Sequence, residues 1–206
     1  MGNGGAMRAG PLGAYFAEDL LLVIREARAS AAITHAHLEG QAGAIAVAAA
    51  AAYACRKQFC PSAVESSRLL NFVLPMCPPG PTRDGLVEAA RLPAATTVSE
   101  AASMLGNGSR LLSSDTVPFA LWCAEKHLGD YQAALWTTVE GLGDRDTTCA
   151  MVGGIVAPTS PPPAHWLRAR ESLRFEKDVL PDSYRSVLRD RAQAWLWSLR
   201  AGRLKE

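Results

Sequence analysis

The sequence has almost no net charge. Its 21 lysines and arginines are balanced by 20 acidic residues, which leaves a formal charge of +1. So small a charge creates no long-range field that would gather nucleic acid or an anionic membrane, and any anionic ligand must be bound by local contacts. We therefore expect no direct binding of nucleic acid.

Cysteine pairs are also missing. The five cysteines are odd in number and none belongs to a Cys-x-x-Cys motif, which argues against a disulfide framework and against a zinc site. They are Cys55, Cys60, Cys77, Cys123 and Cys149. We expect reduced thiols and a cytoplasmic location.

The sequence shows no strong membrane or secretion signal. Residues 1–10 have neither a basic leader nor an apolar core, so we expect no secretory signal. Residues 42–55 form the longest apolar run, but they are mostly alanine and fall short of the ~20 strongly apolar residues that a membrane span requires. We predict a buried helix there and no membrane partner.

Helical periodicity dominates what remains, and no segment alternates between apolar and polar residues as a half-buried strand does. The fold class is therefore all-α. Residues 12–29 predict one helix, because Phe16, Leu20 and Val23 recur along one face. A second helix is expected to open at Thr34-His35 and to run through the alanine-rich segment at the centre of the domain.

Prolines and glycines predict where the later helices begin and end. The four prolines within residues 74–81 exclude a helix and favour a surface loop. Pro118 is placed near the start of a helix that ends at about His127, and Asp130 can cap the next helix, which ends near Gly141.

The chain is interpreted as a single domain over residues 1–206. Residues 158–206 are expected to form a proline-rich linker followed by terminal helices. One of these begins at about Asp182 and carries Trp195 and Trp197.

An acidic turn, Gly143-Asp144-Arg145-Asp146-Thr147, precedes a helix of small and aliphatic residues that begins at about Cys149. Asp144, Asp146 and Thr147 offer three oxygen atoms, the ligand type that Mg²⁺ prefers. The two carboxylates can converge only if the chain turns at this point. A helix N-cap explains the same residues without a metal, and spacing alone leaves both interpretations open.

Two further patterns have competing interpretations. The glycine-rich segment at residues 2–8 precedes a helix start, as phosphate-binding loops do, although composition alone favours an ordinary frayed terminus. His35 and His37 stand two apart at a helix entrance, with no third metal ligand near them.

Residues 113–115 have the composition of a helix cap, and the chain has no serine-nucleophile motif.

Taken together, the motifs resemble those of the ADP-ribosylglycohydrolase family. They are Gly2-Asn3-Gly4-Gly5-Ala6-Met7-Arg8, Thr34-His35, Leu105-Gly106-Asn107-Gly108, Val117-Pro118 and Gly143-Asp144-Arg145-Asp146-Thr147, in that order. The resemblance covers roughly residues 2–166. Its two Gly-Asn-Gly segments look closest to the branch that hydrolyses ADP-ribosyl-serine and poly(ADP-ribose).

The resemblance implies a compact, orthogonal helical bundle with a dinuclear Mg²⁺ centre that binds the distal ribose of an ADP-ribosylated protein or an ADP-ribose conjugate. Asp144, Asp146 and Thr147 would be metal ligands. Gly2, Asn3, Gly4 and Gly5 would lie around the diphosphate and ribose, His35 near the substrate, and Asn107 with Ser109 at the adenosine end. Leu142 replaces a glycine that the family usually has, and Ser109 replaces an aliphatic residue.

The family also has a Thr-Asp-Asp ligand trio and an acidic catalytic residue ahead of the first glycine-rich segment. The sequence contains neither, so we assign no catalytic residue and expect a bundle without its first helices and a metal centre with only part of its ligands. Three hypotheses follow: a magnesium-dependent hydrolase of ADP-ribosyl linkages, a non-catalytic binder of ADP-ribose, and a helical interaction module.

Overall fold

The computed structural model describes residues 1–64 and 67–171. These residues contain eleven α-helices, a short 3-10 helix at Pro61–Ala63 and no strand, which confirms the all-α prediction. The helices are α1 (Gly4–Met7), α2 (Gly10–Tyr15), α3 (Leu20–Ala32), α4 (Leu38–Phe59), α5 (Leu69–Val73), α6 (Pro81–Arg91), α7 (Val98–Leu105), α8 (Ser113–Lys126), α9 (Tyr131–Glu140), α10 (Arg145–Val156) and α11 (Ala164–Ala169).

Helix α4 is the centre of the bundle, as the alanine-rich run predicted. Every residue from Gly40 to Cys55 is buried, and the helix packs against α1, α2, α3, α5, α6, α8 and α10. Its length and composition would allow it to cross a membrane, but 89% of its most apolar window is buried inside the protein. Its small side chains pack in the interior of the bundle.

Close backbone contact explains why α4 is so rich in alanine. A Cβ atom placed on Gly13 of α2 would lie 1.9 Å from the carbonyl oxygen of Ala48. Gly10 at the start of α2 similarly lies against Gly154 of α10. The helices therefore meet without intervening side chains at these two points.

The first predicted helix is wrong in one respect, because residues 12–29 form two helices. Helix α2 ends at Tyr15, and Asp19 ahead of α3 is extended with φ −123° and ψ 100°. The Asp19 carboxylate accepts hydrogen bonds from the backbone of Leu21 at 2.9 Å and Leu22 at 3.1 Å, so it caps α3. The apolar spacing simply continues across this break.

Helix α8 begins five residues earlier than predicted, and Pro118 lies inside it instead of at its start. Residues 113–115 are its first turn and do not cap it; Leu112 stands at the N-cap position without a side-chain hydrogen bond. Burial explains the difference, since Val117, Pro118 and Phe119 are all in the core.

Three other helix starts differ from the prediction by smaller amounts. Helix α4 begins at Leu38, after the predicted Thr34-His35, because the His37 ring caps it by accepting from the backbone of Glu39 at 3.1 Å. Helix α10 begins at Arg145 and not near Cys149. In the loop at residues 74–81, Cys77 is buried and Pro81 already belongs to α6.

The prediction for α9 is confirmed at both ends. Asp130 accepts from the backbone of Ala133 at 2.9 Å, and Gly141 follows the last helical residue.

The chain divides into a unit of residues Met1–Pro163 and a second unit that begins at Ala164. Within the second unit, α11 is described, and the rings of His165 and Trp166 meet edge to face with centroids 6.0 Å apart. The predicted helix from about Asp182, with Trp195 and Trp197, lies outside the described residues.

Candidate active site

The acidic turn lies at the N-terminus of α10. Gly143 has φ +65°, and Asp144 occupies the N-cap position, where one carboxylate oxygen accepts from the backbone of Thr147 at 3.4 Å. The predicted turn and the capping interpretation of Asp144 are therefore both confirmed. Asp146 is exposed on the first turn and Thr147 is buried beside it, so all three candidate metal ligands share one helix entrance.

Asp144 is held as a carboxylate by its neighbours. Burial raises the pKa of this carboxyl group, but hydrogen bonds with Thr147, Asn3 and Asp146 outweigh burial, and the net pKa lies below its usual value. The charged form is the one that accepts several hydrogen bonds or binds a cation.

Asn3 connects the glycine-rich amino-terminal segment to the acidic turn. Its side-chain Nδ2 donates to Asp144 Oδ2 and to Thr116 Oγ1, both at 3.1 Å. Only 7% of Asn3 is exposed, and its backbone N–H donates to the carbonyl of Leu111 at 3.1 Å. The segment is thus fixed, and the alternative of a frayed terminus is wrong.

His35 lies against the same glycine-rich segment. A Cβ atom at Gly2 or at Gly4 would be 3.3 Å from the imidazole ring, and one at Gly5 would be 3.5 Å from Nδ1. The ring therefore packs closely on the backbone of this segment, and a side chain at Gly2 or Gly4 would make a tight contact with it. The structure brings His35 together with the predicted Gly2, Gly4 and Gly5.

A hydrogen-bond chain orients the His35 ring. Arg8 donates to Thr34 Oγ1 at 2.8 Å and to the carbonyl of Ser30 at 2.9 Å, and Thr34 Oγ1 lies 2.8 Å from His35 Nδ1. Because a guanidinium group can only donate, the Thr34 hydroxyl is able to donate its own proton to Nδ1. Thr34 Oγ1 thus links Arg8 to the His35 ring, whose Nε2 is the ring atom nearest Gly2.

The second Gly-Asn-Gly segment contacts the acidic turn from the other side. The carbonyl of Asn107 accepts from the backbone N–H of Asp144 at 3.1 Å, and Asn107 Nδ2 donates to the carbonyl of Gly141 at 3.0 Å. A Cβ atom at Gly143 would lie 2.3 Å from the Asn107 carbonyl oxygen. The resemblance implied that Asn107 contacts adenosine. In the structure its side-chain amide donates to the Gly141 carbonyl instead.

Asp115 and Arg110 hold this second segment in place, and the sequence analysis assigned neither of them to the site. The buried Asp115 carboxylate accepts from Arg110 Nε at 2.9 Å and from the Arg110 backbone at 2.8 Å. The Asp115 carbonyl accepts from Gly108 N at 2.9 Å. In the sequence Asp115 belonged only to a possible helix cap at residues 113–115, and Arg110 had no expected role. Their contact forms when the loop folds onto the following helix.

A groove of about 660 Å³ borders the second segment. Asn107, Ser109 and Arg110 line one side, and Asp84 and Glu88 of α6 line another. Ser109 is exposed, and its backbone N–H donates to Asn107 Oδ1 at 3.3 Å. The predicted Ser109 is therefore located at the rim of an open groove next to the acidic turn.

Asp144, Asp146 and Thr147 form a set of two carboxylates and one hydroxyl. Within residues 1–64 and 67–171, no group of three or more histidine, cysteine, aspartate or glutamate side chains could hold a metal ion. His37 is engaged in capping α4. The donors suit Mg²⁺ in kind, since they are hard oxygen atoms, but the described residues supply only part of an octahedron.

Comparison with protein families identifies the family of the chain. The family model described as ADP-ribosylglycohydrolase matches residues 1–201. A search of curated proteins finds no match. The chain belongs to the ADP-ribosylglycohydrolase family, which defines it as a hydrolase of the kind that acts on glycosyl bonds.

Proposed function

We propose that this protein hydrolyses ADP-ribosyl linkages, on proteins or in ADP-ribose conjugates, with the help of Mg²⁺. The observation that supports the proposal most strongly is the convergence on Asp144 of both Gly-Asn-Gly segments, through Asn3 and Asn107. A helix cap that served stability alone would need no contacts from segments so distant in the sequence.

Asp144, Asp146 and Thr147 would hold the metal. When bound, Mg²⁺ supplies electrostatic stabilisation to substrate oxygen atoms. The low pKa of Asp144 keeps that carboxylate ionised at neutral pH, and the exposed Asp146 carboxylate lies beside it. The remaining coordination positions of a dinuclear centre would be filled by water, by substrate or by donors outside the described residues.

The glycine-rich segment would bind the diphosphate and ribose. Gly4 and Gly5 lie in the single-turn helix α1, and this assignment follows the family resemblance of the segment. His35 presents its ring beside Gly2. Ser109 would contact the adenosine end from the rim of the groove.

The test is release of free ADP-ribose from a serine-ADP-ribosylated peptide by the full chain, with and without Mg²⁺. The serine linkage is chosen because both Gly-Asn-Gly segments resemble those of that branch. We expect Mg²⁺-dependent release that is lost in Asp146→Ala. Asp130→Ala, an exposed acidic residue at the N-cap of α9 and outside the groove, is the matched control and should retain activity.

Binding of ADP-ribose should be measured in parallel by calorimetry. Affinity for ADP-ribose without turnover would replace the hydrolase with a non-catalytic binder. If the folded chain neither binds ADP-ribose nor hydrolyses the peptide linkage, the remaining hypothesis is a helical interaction module. Release that persists unchanged in Asp146→Ala would contradict the role of the acidic turn.

A further inference from the structure

Thr116 is completely buried at the start of α8 and lies behind Asn3, on the side away from solvent. Its hydroxyl donates to the carbonyl of Leu112 at 2.8 Å and accepts from Asn3 Nδ2 at 3.1 Å. Asn3 Nδ2 in turn donates to Asp144 Oδ2 at 3.1 Å. Three side chains from separate parts of the sequence thus form one continuous relay.

The direction of each hydrogen bond in the relay is fixed. A hydroxyl has one proton, and the Thr116 proton is directed to a carbonyl oxygen, which can only accept. Thr116 Oγ1 must therefore accept from Asn3, so the NH₂ end of the Asn3 amide points to both Thr116 and Asp144. The reverse orientation would bring the Asn3 carbonyl oxygen against a carboxylate and leave the Thr116 oxygen without its donor.

From this geometry we infer that Thr116 is a positioning residue for Asp144, acting through Asn3. The inference rests on the proposed function, because its importance lies in the direction in which Asp144 presents its carboxylate to a cation. Asp144 Oδ2 is held by Asn3 and Oδ1 by the backbone of Thr147, so the plane of the carboxylate is set from two sides.

The first test uses NMR on the metal-free chain with two variants of the same residue. Thr116→Val keeps the shape but removes the hydroxyl, and Thr116→Ser keeps the hydroxyl but removes a methyl group. We expect the Asn3 side-chain NH₂ resonances to shift and to exchange faster with solvent in Thr116→Val. In Thr116→Ser they should stay close to those of the unmodified chain.

Thr138→Val is a matched control. Thr138 is also completely buried, and its hydroxyl donates to the carbonyl four residues earlier, Ala134, at 2.7 Å. Removing this hydroxyl reproduces the loss of the helix hydrogen bond without touching Asn3. Asn3 resonances that respond equally to Thr138→Val and to Thr116→Val would overturn the relay.

The second test measures the functional consequence. By calorimetry, Thr116→Val should weaken Mg²⁺ binding by up to roughly tenfold, the low end of the effect of losing a ligand's direct partner, because Thr116 acts through Asn3. Thr116→Ser should stay within about twofold, although both variants lower the urea midpoint. Equal weakening of Mg²⁺ binding in both variants would reduce Thr116 to a packing residue.

The two tests separate failure of the inference from failure of the proposed function. If the unmodified chain neither binds Mg²⁺ nor releases ADP-ribose, the proposed function fails, and the NMR comparison still decides whether Thr116 orients Asn3. If the unmodified chain is active and the Asn3 resonances ignore Thr116→Val, the function stands and the inference is wrong.

Discussion

The backbone N–H of Asp144 donates to the carbonyl of Asn107 at 3.1 Å. The carboxylate of the same aspartate accepts from Asn3 at 3.1 Å. The two Gly-Asn-Gly segments therefore act on different parts of one residue, one on its backbone and one on its side chain. In the second segment Gly108 permits the approach, since a Cβ atom there would lie 2.8 Å from Asp144 Cβ.

Replacing Asp144 should affect activity far more than stability. Asp144 and Asp130 both cap a helix, so Asp144→Ala and Asp130→Ala should each lower the free energy of unfolding by about 0.5–2 kcal/mol. Only Asp144→Ala should abolish release of ADP-ribose. Urea denaturation and the peptide assay on both variants check this, and equal loss of activity in the two would contradict it.

Removing the Asn107 side chain should loosen the acidic turn. Asn107→Ala loses the donor to the Gly141 carbonyl and the acceptor for Ser109 N, each worth about 1 kcal/mol. We expect faster hydrogen exchange at the backbone amides of residues 141–144, measured by mass spectrometry. The control is Asn71→Ala, at an exposed position. Unchanged exchange in Asn107→Ala would contradict a stabilising role of Asn107 in the acidic turn.

A single methyl group at Gly13 should damage the bundle. Gly13→Ala places a carbon 1.9 Å from the Ala48 carbonyl oxygen, so α2 and α4 must move apart. We expect a loss of about 3 kcal/mol in the free energy of unfolding, the upper part of the range for overpacking. Gly129→Ala, with nothing within 4 Å of the new carbon, should change it by at most about 0.5 kcal/mol.

The capping box of α7 should give a measurable pH dependence. Hydrogen bonds from the Thr97 backbone and side chain lower the pKa of Glu100, so its stabilising effect is present above the unfolded pKa of about 4.3 and is lost as the pH falls through the folded value. Urea midpoints of the unmodified chain and Glu100→Gln should differ at pH 7 and converge at pH 3. A difference that is independent of pH would contradict this assignment. Glu88→Gln, exposed on α6, serves as control.

Features decided by local chemistry were predictable from the sequence. Asp130 and Gly141 mark the ends of α9 because capping depends on neighbouring residues only. The alanine-rich run identified α4 as the central helix because small side chains let neighbouring helices approach closely. Asp19 carried the same capping signal, but the apolar spacing on both sides of it favoured one long helix.

Packing between distant residues decided the rest. The start of α8 depends on burial of Val117 and Phe119, which outweighs the preference of Pro118 for a first turn. Of the residues that the resemblance matched, Asn3 and Asn107 contact Asp144, and His35 packs against Gly2 and Gly4. Thr116 and Asp115 were not predicted. Their roles follow from contacts with Asn3 and Arg110, and spacing along the chain carries no information about such pairs as Asn3 and Thr116.

The separation of Asn3 from Asp144 also sets the order in which the site can form during synthesis. The two residues stand 141 positions apart. At the usual rate of translation, roughly 7–28 s pass between the synthesis of the two residues. The glycine-rich segment therefore leaves the ribosome before Asp144 has been synthesised. Until then Asn3 can contact Thr116 but not Asp144, and α10, which begins at Arg145, has not yet packed against the other helices.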